Sequence, residues 1–454
     1  MATSSQELRK LERTLTLPAV VVLGVAWVTP LIALATIGII IELSNGTAPT
    51  AYLITLLAMI FTAWSYGRMA SVHYQSAGSA YTYVGVEMGP RLGFLTGWLI
   101  LLDYFFIPLV VWLIGAAYLA AQFPAVPLGV WIVAFIVPTT VLNIIGIKIA
   151  AKANYLLVAF QLLVIAIFVA LSLAQFAGQD TGATLLSPFF NQGTTLAALA
   201  TAAAVAAYSF IGFDGLTLLT EETHDPRRTI PRAMLIVVAF FGVLFVGVAW
   251  VSQLIHPGAD FANVDSAALE LARLVGGHLF AAIVLAGLIV GQFACGLAIQ
   301  AGASRLLFTM GRDGVLPRSL SYLAPRFRTP VIGIVLIGAT GLVGLFMDVT
   351  TSASFINFGA FSAFVMVNLS AIVHYWRHRP GSGAGAFLGW VVLPLAGAIV
   401  NLYLLLSLEV DARIIGSIWL ALGIVWLAIL TRGFRRPPPR MQLETVDRPQ
   451  EDSP

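Results

Sequence analysis

Two carboxylates stand where a carboxylate is costly. Asp103 lies about ten residues into an apolar run from Gly93 to Gln122. At about 1.5 Å per helical residue it is roughly 15 Å deep, near the middle of a membrane-length helix. Asp214 lies about two-thirds of the way through a second run, Leu196 to Thr220. An ionised group in hydrocarbon faces a cavity or a partner and marks function. The competing reading is structural, with the carboxyl protonated or held by backbone donors. Glu42, Glu221, Glu222 and Asp348 sit at run ends, where contact with water is the default. Glu221 and Glu222 stand out among these because they close the run that carries Asp214. Such groups can pair with a cation or carry a proton, since burial raises a carboxyl pKa toward a transferable range.

The backbone is interrupted near the same depth. The first apolar run contains Val28-Thr29-Pro30-Leu31, and proline there removes a donor and frees a carbonyl. The sixth contains Ser209-Phe210-Ile211-Gly212-Phe213-Asp214-Gly215, two glycines around an acid. Unpaired backbone groups at this depth are tolerated only where they line a cavity. Interrupted helices at corresponding places in two halves of a chain point to a binding site at the midplane. A shift of five spans relates the two breaks, and an odd shift makes the copies inverted. Aromatic residues gather round them: Trp27 before the first, Tyr208, Phe210 and Phe213 about the second, and Tyr104 beside Asp103. Carboxylates with aromatic faces suit an organic ammonium through charge pairing and cation–π contact. Taken singly, each ring is equally an ordinary packing residue.

Enzymatic and ATP-driven chemistry finds no support. There is no His-Glu-x-x-His, no Gly-x-x-x-x-Gly-Lys-Ser/Thr and no Cys-x-x-Cys. No cofactor or metal is expected. The six histidines are scattered; His73, His224 and His374 fall at helix ends and read as interfacial residues. The single cysteine, Cys295, excludes an intramolecular disulfide.

These residues must be positioned by membrane-spanning helices. The 454 residues are 59% hydrophobic and 10% charged, with a mean hydropathy of +0.93. Soluble domains carry about 25% charged residues. Twelve apolar runs are predicted: Leu17 to Glu42, Thr50 to Tyr66, Gly93 to Gln122, Leu128 to Ile147, Asn154 to Gln175, Leu196 to Thr220, Arg232 to Ile255, His278 to Met310, Pro330 to Phe346, Thr351 to Trp376, Ala386 to Leu408 and Arg413 to Leu430. With the N-terminus inside, all but Arg273 and Arg413 of the 24 Lys and Arg residues fall on the inner side. The net charge of +3 therefore reflects membrane orientation and not nucleic acid binding. No cleavable signal peptide is expected, because the first run is too long and lacks a small-residue cleavage site. The predicted organisation is an inner segment 1–16, spans one to five over 17–175, spans six to ten over 196–376, two further spans over 386–430, and a disordered tail over 433–454.

Along nearly its whole length, from about Leu17 to Arg432, the chain resembles the amino acid–polyamine–organocation superfamily of permeases. The resemblance rests on Ala77-Gly78-Ser79-Ala80-Tyr81-Thr82-Tyr83-Val84, on Phe210-Ile211-Gly212-Phe213-Asp214 through Thr220-Glu221-Glu222-Thr223, on Asp225-Pro226-Arg227-Arg228-Thr229-Ile230-Pro231, and on Ser304-Arg305-Leu306-Leu307 with Met310-Gly311-Arg312-Asp313-Gly314. Within the superfamily, Leu101-Leu102-Asp103-Tyr104 with Pro108, and Ile356-Asn357-Phe358-Gly359-Ala360 with Val367-Asn368-Leu369-Ser370, resemble bacterial putrescine importers. The resemblance implies an all-α inner-membrane protein of twelve helices. Its fold would be a five-plus-five inverted repeat with discontinuous helices one and six, plus two added C-terminal helices. It also implies uptake driven by protons or membrane potential. Amino acid permeases of the superfamily carry a Gly-Ser-Gly-like first break whose N–H groups hold a carboxylate. Val28-Thr29-Pro30 lacks those glycines and one N–H, which favours an amine without a carboxylate. One departure runs the other way: putrescine importers are expected to carry an acid where this chain has Ala35.

The reading is an importer of putrescine or a related amine, working by alternating access and coupled to a proton. Asp103 and Asp214 supply negative potential. Trp27, Tyr104, Tyr208 and Phe210, with Phe213, supply stacking. Thr29, Pro30 and Ser209 shape the breaks. Glu221 or Glu222 holds an amine or the proton, with Asp214, Glu222 and Asp103 the proton-coupling candidates. The alternatives are an amino acid permease of the same fold and, from a different class, a non-transporting nutrient receptor.

Overall fold

The computed structural model describes residues 13–74, 80–146, 151–178, 184–220, 222–312 and 314–439. Within them the protein is all-helical apart from one isolated parallel bridge, Leu15 with Thr223. The first span is three helices, α1 (Leu17–Val28), α2 (Ile32–Ala35) and α3 (Ile37–Leu43). α4 (Ala48–Val72), the short α5 (Ala80–Met88), α6 (Pro90–Gln122), α7 (Leu128–Ile145) and α8 (Ala151–Gly178) follow. The sixth span begins as α9 (Leu196–Ala206). Then come α10 (Pro226–Ile255), α11 (Ala267–Arg312), α12 (Val331–Gly341), α13 (Val349–His378), α14 (Ala384–Phe387), α15 (Leu393–Leu406) and α16 (Val410–Leu430). Proline opens α4, α6 and α10 within the first turn, where its missing N–H has no intrahelical partner to lose.

Among the described residues, eleven helices are long and apolar enough to cross a membrane, so the chain is a multi-pass membrane protein. The ninth of the twelve expected runs is the shorter one. Pro330 to Phe346 yields only the short apolar helix Val331–Leu345, whose last turn tightens to a 3-10 helix. That falls short of the about 20 residues a perpendicular crossing takes. The eighth run also gains a prelude. Helix continues before His278 back to Ala267, bent where Gly277 adopts φ 66°.

The central helix is α6, with 78% of its most apolar stretch buried, against 17% for α16 at the outside of the bundle. α6 packs on α7, α11, α12, α13 and α16. α4 lies along α10 and also meets α9, α13 and α15. Interhelical polar contacts fix these pairings. Ser65 donates to Asn368 Oδ1 (2.6 Å), and Asn401 donates to Thr62 (2.8 Å). Trp98 and Trp419 stack at 5.0 Å and each donates its indole N–H to the other's carbonyl, which holds α16 on α6. Such bonds contribute about 0.6–2 kcal/mol each in a bilayer.

Candidate substrate site at the two broken helices

The first break is real. α1 ends at Val28, and Thr29 takes φ 56°, a conformation that a β-branched residue rarely adopts. Strain of this kind costs of order 1–3 kcal/mol and gathers at ligand sites. A second interruption follows at Thr36, between α2 and α3. In the sixth span, α9 ends at Ala206 and tightens to a 3-10 turn, Ala207–Phe210. Gly212 turns with φ 112°, and the chain resumes as a second 3-10 segment, Asp214–Leu219.

Neighbouring helices take up the freed backbone groups. Gln161 on α8 accepts from the Leu31 N–H at 3.2 Å. Tyr118 on α6 donates to the carbonyls of Leu34 (3.2 Å) and Ala35 (3.0 Å). Asn357 on α13 donates to Ala204 O (2.7 Å) and Val205 O (3.4 Å), closing the end of α9. Replacing Asn357 with Leu removes the side-chain donor from both carbonyls, of which Val205 O keeps the Ala207 N–H. It is expected to destabilise the protein by about 1–3 kcal/mol, read as a lowered unfolding temperature of the purified protein.

The two breaks face each other. A Cβ on Gly212 would lie 3.4 Å from the Trp27 backbone, and one on Gly215 would lie 3.1 Å from the Trp27 ring and 3.9 Å from the Tyr104 hydroxyl. Asp103 and Asp214 join this place. The Asp214 charge acts on Asp103, Tyr104 and Tyr66, and the Asp103 charge acts on Tyr66, Tyr104 and Tyr208. The two acids differ in their partners. Asp214 is half-buried, with the backbone N–H groups of Gly212, Gly215 and its own residue turned to its carboxylate. Asp103 is 6% exposed, and its Oδ1 has no hydrogen-bond partner among the described residues. Trp27 keeps 38% of its surface exposed.

Other candidates lie elsewhere. Ser209 sits on the far side of the break, 3.5 Å from Thr36 Oγ1 and 3.4 Å from the Tyr52 hydroxyl. Phe210 packs edge-on against Phe245 (5.0 Å), and Phe213 packs between Tyr66 and Phe364. Pro30 is buried beside Thr29. Glu222 is half-buried, and its carbonyl accepts from the N–H groups of Thr14 and Leu15 at 2.9 Å, fastening the chain before α1 to the segment after the second break. Glu221 lies outside the described residues, as do residues 75–79, which include the start of the Ala77–Val84 motif, and residues 440–454 of the tail.

A family match decides what this geometry belongs to. The amino acid permease family profile matches residues 15–429. The chain belongs to the amino acid permease family. The low-affinity putrescine importer PlaP of Escherichia coli (strain K12) is 37% identical to this permease over 446 residues, 97% of this chain and 98% of that protein. The branched-chain amino acid permease BcaP of Bacillus subtilis is 27% identical over 403 residues, 84% and 85% of the two chains. The methylthioribose transporter of the same organism is 26% identical over 412 residues, 86% of each.

The permease also holds a cluster that sequence reasoning passed over. Glu87, on α5 and fully buried, accepts from His374 Nδ1 at 2.6 Å and meets His73 Nε2 at 3.0 Å. Burial pulls the Glu87 carboxyl upward, but the hydrogen bonds and charges of His374 and His73 more than offset it and hold it down at about 2. The two histidines were read separately as interfacial, and Glu87 was not singled out. The partners lie 14 and 287 residues from it, a distance no local pattern bridges.

Proposed function

We propose that this permease imports a small organic diamine of the putrescine class, with Asp103 binding one ammonium group at the meeting of the two breaks. The observation that carries this reading is the buried Asp103 carboxylate with an oxygen lacking a partner among the described residues, one residue before Tyr104, whose hydroxyl lies with the Trp27 ring around Gly215. A buried carboxylate favours a cation that completes its hydrogen bonds. Two further facts support an amine over an amino acid. The Leu31 N–H at the first break is already bonded to Gln161, and Pro30 offers none, so the break presents no N–H cradle for a carboxylate. Similarity to the putrescine importer also covers nearly all of both chains.

In this reading the ionised Asp103 pairs with the ammonium, and the coupling proton travels inward with the substrate on Asp214, the second acid of the site. Backbone N–H groups of the second break lie toward the Asp214 carboxylate. Glu222 acts through the fastening of Leu15 to Thr223, with its side chain as a second proton acceptor. The chain is an inner-membrane protein with both termini cytoplasmic. Spans one to five (17–175) and six to ten (196–376) form an inverted repeat, and 386–430 is an added pair; Val331–Leu345 is the ninth, shortened member. Transport follows from the two repeats rocking about the site.

The test is uptake of labelled putrescine into proteoliposomes holding the purified protein, with and without an inward proton gradient. Saturable uptake that the gradient accelerates supports the reading. The second reading, an amino acid permease, draws on the branched-chain relative. Leucine uptake that putrescine does not compete would establish it in place of the first.

A further inference from the structure

We propose that His73, Glu87 and His374 form a binding site for a divalent transition metal of the zinc class, separate from the substrate site. One ligand atom from each of the three lies within 4.8 Å of the other two. Glu87 Oε1 is 2.6 Å from His374 Nδ1 and 3.0 Å from His73 Nε2. Ligands about 2.0–2.2 Å from a tetrahedral zinc stand roughly 3.3 Å apart. Opening these two contacts by about 0.7 and 0.3 Å, with the two imidazole nitrogens drawn to a similar separation, therefore converts the hydrogen-bonded triad into a coordination shell. A second observation points the same way. Glu87 Oε2 is buried with no hydrogen-bond partner among the described residues, and His378 Nδ1, one helical turn beyond His374, lies 3.9 Å from it. The cluster thus offers an unused oxygen and, on His378, a third imidazole nitrogen as a fourth ligand.

The donor set selects the metal. Two imidazoles and one carboxylate suit Zn²⁺, Co²⁺ or Ni²⁺, whereas Mg²⁺ and Ca²⁺ require an all-oxygen shell. Ring packing holds the ligands in place: His374 stacks between His378 (4.4 Å) and Trp390 (5.1 Å), and His73 stacks on Tyr83. Arg68, the cation facing this cluster from α4, lies over the rings of Trp64 and Trp390. Side-chain exposures of 18% for His73 and 56% for His378 provide the way in from the aqueous face. The ligands come from the end of α4, from α5 and from α13, so a bound metal ties three elements together.

The full chain, purified without a histidine tag and stripped with chelator, is titrated with Co²⁺. The expected result is one Co²⁺ per chain with the visible bands of four- or five-coordinate cobalt, displaced by Zn²⁺, and a raised unfolding temperature. Because Glu87→Gln risks the fold, His73→Gln is the principal variant. It should weaken binding by about 10- to 100-fold or more, as loss of even an outer-shell partner does. His224→Gln, outside the cluster, should leave binding unchanged. Absence of saturable Co²⁺ binding, or binding equally tight in folded His73→Gln, overturns the proposal and leaves the triad a hydrogen-bonded tie.

Discussion

Asp103→Asn is expected to abolish gradient-driven putrescine uptake while the protein still folds and inserts. The amide matches the carboxylate in shape but brings no charge, and its NH₂ turns a donor toward an ammonium group. Removing one partner from a buried ion pair costs about 3–5 kcal/mol, roughly a 10²- to 10³-fold fall in kcat/KM. The fold should tolerate the change, because Asp103 Oδ1 makes no hydrogen bond among the described residues that the amide would break. Asp214→Asn should behave differently. Its carboxylate faces backbone N–H groups of the break, so the amide opposes donors with a donor and lowers the unfolding temperature as well as transport. Uptake measured beside thermal unfolding separates the two. Wild-type uptake by Asp103→Asn would remove the central element of the proposed mechanism.

Gly215→Val is expected to block transport by occupying the substrate's place. The new Cβ would stand 3.1 Å from the Trp27 ring and 3.9 Å from the Tyr104 hydroxyl, in the space where the two breaks meet. Overpacking of this kind costs about 1–3 kcal/mol, so uptake should fall about tenfold or more, with KM raised if the pocket yields and Vmax lowered if it does not. Gly212→Ala is the contrasting variant. With φ at 112°, a Cβ there strains the turn itself, so the loss should show in protein yield and unfolding temperature before it shows in KM. A Gly215→Val protein with unchanged uptake would place the substrate elsewhere than between Trp27 and Tyr104.

Much of this molecule was legible in advance because the bilayer leaves few options. Spanning segments must be long, apolar and internally hydrogen-bonded, so eleven of the twelve runs appear as full-length spans. The ninth is a shorter apolar helix, because an apolar run does not report where its last turn tightens at Leu342–Leu345. The breaks at Thr29-Pro30 and Gly212 were readable because proline and glycine act locally, through a missing donor and a missing Cβ. Which polar side chain would answer each freed group was not. Gln161, Tyr118 and Asn357 reach across to spans far from their own, and nothing near them in sequence says so.

The sequence by itself determined a helical membrane protein with two interrupted helices, acids at membrane depth and a resemblance to permeases. Those are properties of single segments: hydropathy, local backbone freedom and the cost of a charge in hydrocarbon. Only the tertiary structure decided that Trp27, Tyr104 and Gly215 meet and that Asp103 and Asp214 share one electrostatic neighbourhood. It likewise decided that Asp214 faces backbone donors while one oxygen of Asp103 keeps none, and that Glu87 gathers two distant histidines. These facts depend on how helices pack side by side. In uniformly apolar runs the periodic pattern that would reveal a helix's inward face is absent, so packing carries the information that the pattern cannot.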